Sequence, residues 1–123
     1  FPVEEGDVVV DVGASVGPFL WQIAPAQPAK VYCLEPEPDL YRTLVRNASR
    51  LDVPVTLINQ AMADRSGTAM VSGLFDPSRT DMTDGRDAQV TPSITFLGLI
   101  AQHNIDHIDF LKTDCERLTC HHV

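Results

Sequence analysis

The chain is short of positive charge. Nine Lys and Arg stand against 17 Asp and Glu in 123 residues, a formal net charge of −8, so a phosphate backbone meets no broad attractive surface and no nucleic-acid partner is expected. Long apolar runs are missing too. None reaches the roughly 20 residues that span a bilayer, and the first residues lack the basic segment and apolar stretch of a secretory signal. No membrane partner is therefore expected, and the composition points to the cytoplasm. Cysteine is scarce and odd in number, at Cys33, Cys115 and Cys120, which argues against a disulfide framework. The stretch "CERLTCHH" gathers Cys115 and Cys120 with His121 and His122, but without the paired two-residue spacing of structural zinc sites. No metal is expected there.

What is present is a 44% hydrophobic chain of a length that suits one compact domain over 1–123. Residues 7–12, with four valines, read as a buried strand of the kind found in the middle of parallel sheets. After Gly17, the apolar residues Phe19, Leu20, Ile23 and Ala24 recur at helical spacing; Pro18 is tolerated in a first turn and Pro25 stops the segment. A second strand is predicted at 31–34, ending in Glu35 and broken by Pro36 and Pro38. Glu37 or Asp39 can cap the helix that follows, in which Leu44, Val45, Ala48 and Leu51 share one face, with Arg42, Arg46 and Asn47 opposite. Val55–Ile58 is a third strand, 68–72 a short one after a turn at 65–67, Phe96–His103 a short helix, and 108–113 a further buried strand. The aspartate-rich segment 76–88 reads as an exposed loop. Strands alternating with helices give an α/β fold with a mostly parallel central sheet.

In open α/β sheets, ligands bind beyond the carboxyl ends of the strands, where a glycine turn after the first strand brings backbone close to the ligand. The stretch "VVVDVGASVGPF" occupies that point. Two ligand classes compete for it. A dinucleotide asks for G-x-G-x-x-G, and here Ser15 and Pro18 replace the second and third glycines. An S-adenosylmethionine site asks instead for an acid shortly before the first glycine, as Asp11 stands before Gly13, with small residues at Gly13, Ser15 and Gly17. An acid suits a cationic sulfonium and repels a pyrophosphate, so Asp11 favours the methyl donor. Glu35, at the end of the second strand, can accept hydrogen bonds from both ribose hydroxyls of an adenosine ligand, a role that fits either cofactor.

Four segments, "GDVVVDVGASVGPF", "VYCLEPEPDLYRTLVRN", "LINQAMADRSG" and "IDFLKTDCE", follow in order and together resemble the FkbM family of S-adenosylmethionine-dependent methyltransferases, over residues 5–116. The resemblance implies a Rossmann-like class I methyltransferase fold, a three-layer sandwich. It implies that Asp11, Gly13, Ala14, Ser15 and Gly17 line the methionine and ribose portion of the cofactor, that Glu35 holds the ribose with Pro36 beside the adenine, and that Gln60 and Ala61 border the adenine. Asp114 and Glu116 would stand near the transferable methyl. The family usually carries Asn at the position of Ser15 and Gly at the position of Arg117, and "ERLTCHHV" leaves the family pattern. On this reading the closing C-terminal strands lie outside this segment.

The activity so implied is methylation of a hydroxyl on a small molecule, sugar or polyketide. Displacement at a sulfonium needs alignment and exclusion of water more than a dedicated base. If the acceptor is a hydroxyl, Asp114 is the first candidate to take its proton, with Glu116 and Lys112 behind it. His103 and His107 read as solvated, Lys112 as a charge at a strand edge, and Phe19, Trp21 and Phe110 as core. Two alternatives stand beside this reading: a non-catalytic or truncated S-adenosylmethionine-binding module, and an NAD(P)-dependent oxidoreductase.

Overall fold

The computed structural model describes residues 3–63, 67–72 and 88–113. Among these, four strands form a fully parallel sheet in the order β3-β2-β1-β7, from β1 (Val8–Val12), β2 (Lys30–Leu34), β3 (Val55–Ile58) and β7 (Phe110–Thr113). Register is continuous across it: Val9 lies beside Val31 and Phe110, and Asp11 beside Cys33 and Lys112. Because side chains alternate along a strand, these rows divide the core in two. Val9, Val31 and Cys33 face helices α1 (Pro18–Ile23) and α2 (Pro38–Ala48), packing against Phe19, Leu20, Ile23, Leu44 and Ala48. Val10, Val12, Tyr32, Leu34 and Ile58 face the other way, onto Leu99 of α3 (Phe96–His103) and onto Ile94 and Ile105. Helices, sheet and helix thus make the three layers that the resemblance implies.

The helices start where local chemistry satisfies their first amides. Glu37 caps α2, its carboxylate accepting the Leu40 N–H at 2.7 Å, with Pro38 in the first turn. Thr95 does the same for α3 by accepting the Gly98 N–H at 2.9 Å. Capping of this kind stabilises a helix by about 1 kcal/mol. In contrast α1 has Gly17 at its cap and Pro18 after it, with no side-chain cap, and Pro25 does not stop the chain but continues it as a single 3₁₀ turn, Ala24–Ala26.

A second, three-stranded sheet carries β4 (Ala61–Met62), β6 (Ala88–Ile94) and β5 (Gly67–Ser72), with β6 in the middle, parallel to β4 and antiparallel to β5. No strand is expected over 88–94, yet β6 runs through Pro92, a residue disfavoured inside a sheet. The expected loop 76–88 lies outside the described residues except for Ala88, which opens β6; the expected turn 65–67 likewise lies outside them except for Gly67, which opens β5. Three side chains differ from expectation. Trp21 is 45% exposed and Val45 41%; α2 is instead anchored by Leu44 and Ala48, with Tyr41 against the same core. His103, expected in solvent, has its Nε2 buried and its ring 5.8 Å from that of Tyr32.

Candidate functional site

β1 ends at Val12, and the next five residues turn sharply at the carboxyl edge of the sheet. Gly13, Ser15 and Gly17 all have positive φ, at 79°, 57° and 97°. Glycine reaches this region without penalty and Asn is the next most tolerant residue, so the backbone explains small residues at alternate positions. Gly17 has a second reason. A Cβ there would come to 3.1 Å of Leu44 Cδ1, so α2 packs directly onto the turn.

The turn spends its amides on itself and on its neighbours. Gly13 and Ala14 both donate to the Leu34 carbonyl at 2.9 Å, Gly17 donates to the Ala14 carbonyl at 2.9 Å, and Ser15 donates to Glu35 Oε1 at 2.7 Å. A phosphate-binding loop directs such N–H groups at its ligand; here four of them have protein acceptors.

Glu35 joins three strand ends. Its carboxylate is buried, with Oε1 taking the Ser15 N–H and Oε2 the Glu37 N–H at 3.0 Å. Its own N–H donates to the Ile58 carbonyl at 3.0 Å, which ties the end of β2 to the end of β3. Asn59 completes the joint, with Nδ2 donating to the carbonyls of Glu35 at 2.8 Å and Pro36 at 3.2 Å. From the other side, Asn47 Nδ2 donates to the Val16 carbonyl at 2.8 Å, so the helix face expected to be solvated holds the glycine turn. Sequence reasoning missed both asparagines.

Asp11 is the penultimate residue of β1. It is fully buried on the α1 side of the sheet, and Lys112 Nζ, from the adjacent strand, lies 3.5 Å from its Oδ1 and 5.5 Å from the centre of the Phe19 ring. Lys112 is therefore a partner within this cluster and not simply a charge at a strand edge. Cys33 lies in the same row. Burial pushes its thiol pKa well up, the Asp11 carboxylate adds to that rise, and Lys112 opposes it, so Cys33 stays protonated.

The expected site residues fall into groups. Gly13, Ala14, Ser15, Glu35 and Pro36 meet at one strand edge, with Pro36 and Ala14 buried. Gln60, half-buried, follows Asn59, and Ala61 is buried at the start of β4 beside Ser93. Asp114 and Glu116 lie outside the described residues, as do Arg117 and the cysteines and histidines beyond it. Among the described residues no cluster of three or more His, Cys, Asp or Glu could hold a metal ion, and no helix is long and apolar enough to cross a membrane.

No family model matches the sequence, and no curated protein matches it either. Among solved structures, the chain is similar to a methyltransferase FkbM from Methylobacillus flagellatus KT, with a TM-score of 0.62 over 94% of this chain at 17% identity. The chain spans 28% of that protein's length. The likeness shows the fold: an α/β chain with a mostly parallel central sheet, of the Rossmann-like kind that this methyltransferase has.

Proposed function

We propose that the chain is the S-adenosylmethionine-binding part of a methyltransferase, acting on a hydroxyl of a small molecule. The observation that carries this reading is the Glu35 carboxylate at the junction of three strand ends, each oxygen accepting one backbone N–H. A ribose presents two hydroxyls as donors, and a carboxylate held at the strand edge by backbone N–H groups is the kind of group that accepts them. The donor fits such an edge: it brings hydroxyls to donate, and its cationic end finds acidic residues. A dinucleotide fits less well, because four amides of the turn already have protein acceptors and are not aimed at a pyrophosphate.

When bound, the donor supplies an electrophilic methyl on a sulfonium with a thioether as leaving group. The chain's part is to align and to exclude water. Glu35 fixes the ribose and Gly13, Ala14 and Ser15 border the methionine and ribose portion. Gln60 and Ala61 border the base. Asp114, which follows Thr113 in sequence, takes the acceptor's hydroxyl proton onto its carboxylate, with Glu116 as the second candidate. The likeness in fold to a methyltransferase supports this reading at the level of architecture.

The test is calorimetric titration of the chain with S-adenosylmethionine, S-adenosylhomocysteine and NAD in parallel. Heat from the first two and none from NAD is the expected result. Binding of NAD alone would replace the reading with the oxidoreductase one, and silence from all three in a folded chain would remove the cofactor site.

A further inference from the structure

One row of the central sheet, Cys33, Asp11 and Lys112, sets a carboxylate between a thiol and an ammonium. Asp11 and Cys33 are fully buried, whereas the Lys112 side chain keeps 33% of its surface exposed. Its ammonium lies 3.5 Å from Asp11 Oδ1 and 5.5 Å over the Phe19 ring, which is itself stacked on Phe110 at 5.7 Å. Carboxylate and aromatic face both attract a cation, so the ammonium is held from two sides. The cluster stands close to the candidate site. Asp11 precedes Gly13 by two residues, about 7 Å of strand, and at that range a unit charge in a partly buried setting shifts the affinity of another charge by roughly threefold to thirtyfold.

We propose that Lys112 is a positioning residue that tempers the Asp11 carboxylate and thereby sets how strongly the site prefers a cationic sulfonium donor over its neutral thioether product. This rests on the methyl-donor reading above. A lone carboxylate near the turn would hold the donor most tightly in the ground state, where the positive charge is complete, and less tightly as that charge disperses during transfer. Attraction of this kind slows the chemical step because it is lost on the way to the transition state. With Lys112 in contact, the pair is close to neutral. It also leaves the thioether product less disfavoured relative to the donor.

The two ligands share every group except the charged methyl, so the ratio of their affinities isolates the effect from any general damage to the site. The experiment is calorimetric titration of the chain with S-adenosylmethionine and S-adenosylhomocysteine, for the parent, Lys112→Met, Lys112→Arg, Asp11→Asn and the Asp11→Asn/Lys112→Met double variant. Lys112→Met is expected to raise the donor-to-product affinity ratio by about threefold to tenfold and Asp11→Asn to lower it by a similar factor. Lys112→Arg keeps the charge and is expected to keep the ratio, and the double variant to return it to the parent's value. A merely structural pair would weaken both ligands together and leave the ratio unmoved. If both ligands bind the parent and the ratio stays constant across the variants, the inference falls while the methyl-donor reading stands; if neither ligand binds the parent, both fall. Should Lys112→Met fail to fold, Asp11→Asn decides alone, since it leaves an ammonium with access to water: an unchanged ratio overturns the proposal.

Discussion

The two faces of the central sheet share four strands and differ in what they bury. Toward α3 the buried core is apolar, with Val10, Val12, Tyr32, Leu34 and Ile58 against Leu99, Ile94 and Ile105. Toward α1 and α2 the row nearest the candidate site breaks this pattern and carries Asp11, Cys33 and Lys112 beneath Phe19. Burying a charge costs several kcal/mol unless it is paired. A fold seeking stability alone would have filled both faces with valine and leucine. The difference separates an apolar face from one that buries an ion pair two residues before the glycine turn.

If the α3 face is purely structural, breaking it should cost stability without discrimination between conditions. Leu99→Ala removes a fully buried side chain and is expected to destabilise by about 3 kcal/mol, read as a lower urea midpoint by the same amount at pH 7 and at pH 9.5. On the other face, Gly17→Ala is expected to cost about 2 kcal/mol, through a positive φ and a Cβ at 3.1 Å from Leu44 Cδ1. A thermal melt matching the parent would show that α2 yields there at no cost.

The charged row adds a pH dependence that the apolar face lacks. The folded thiol of Cys33 sits above its ordinary pKa of 9.0, so the fold binds the proton more tightly than the unfolded chain does. Stability from this source is complete below pH 9 and declines as pH rises above it, by up to about 1.4 kcal/mol per pH unit. Urea melts between pH 8 and 10.5 should show this decline in the parent and a shallower one in Cys33→Ala. Identical slopes would mean that the thiol is not sealed from water. The smallest effect belongs to the surface: Val45→Ala, at an exposed position, should change stability by less than about 0.5 kcal/mol. A larger loss would mean that this side chain is covered.

Much of this comparison is legible in the sequence. The valine run, the amphipathic α2 and the strand Val55–Ile58 each carry a period that only one secondary structure satisfies, and the α/β alternation then leaves little choice of architecture. The glycine turn and Glu35 were placed at the strand edge on the same grounds. The sequence was silent where contacts cross between elements. Nothing local says that Asn47 reaches the Val16 carbonyl, that Asn59 bridges Glu35 and Pro36, or that Lys112 and Asp11, 101 residues apart, become neighbours. Local propensity at Pro92 speaks against β6, which pairing on both sides sustains. Helical periodicity placed Val45 inside by three residues' spacing alone, whereas the helix is rotated so that Tyr41, Leu44 and Ala48 meet the core.

The central claim is that Glu35 recognises the ribose of an adenosine ligand while it ties the strand ends together. Glu35→Gln keeps the shape and one acceptor oxygen but loses the charge that strengthens hydrogen bonds from hydroxyls. Titration of parent and Glu35→Gln with S-adenosylhomocysteine, which lacks the sulfonium and so leaves Asp11 and Lys112 out of the comparison, tests the claim directly. The account predicts a tenfold or greater loss of affinity in a protein that still folds, its melting temperature lowered because the Gln amide can accept only one of the two backbone N–H groups that Glu35 accepts. Equal affinity in the two proteins would contradict it and reduce Glu35 to a structural clasp.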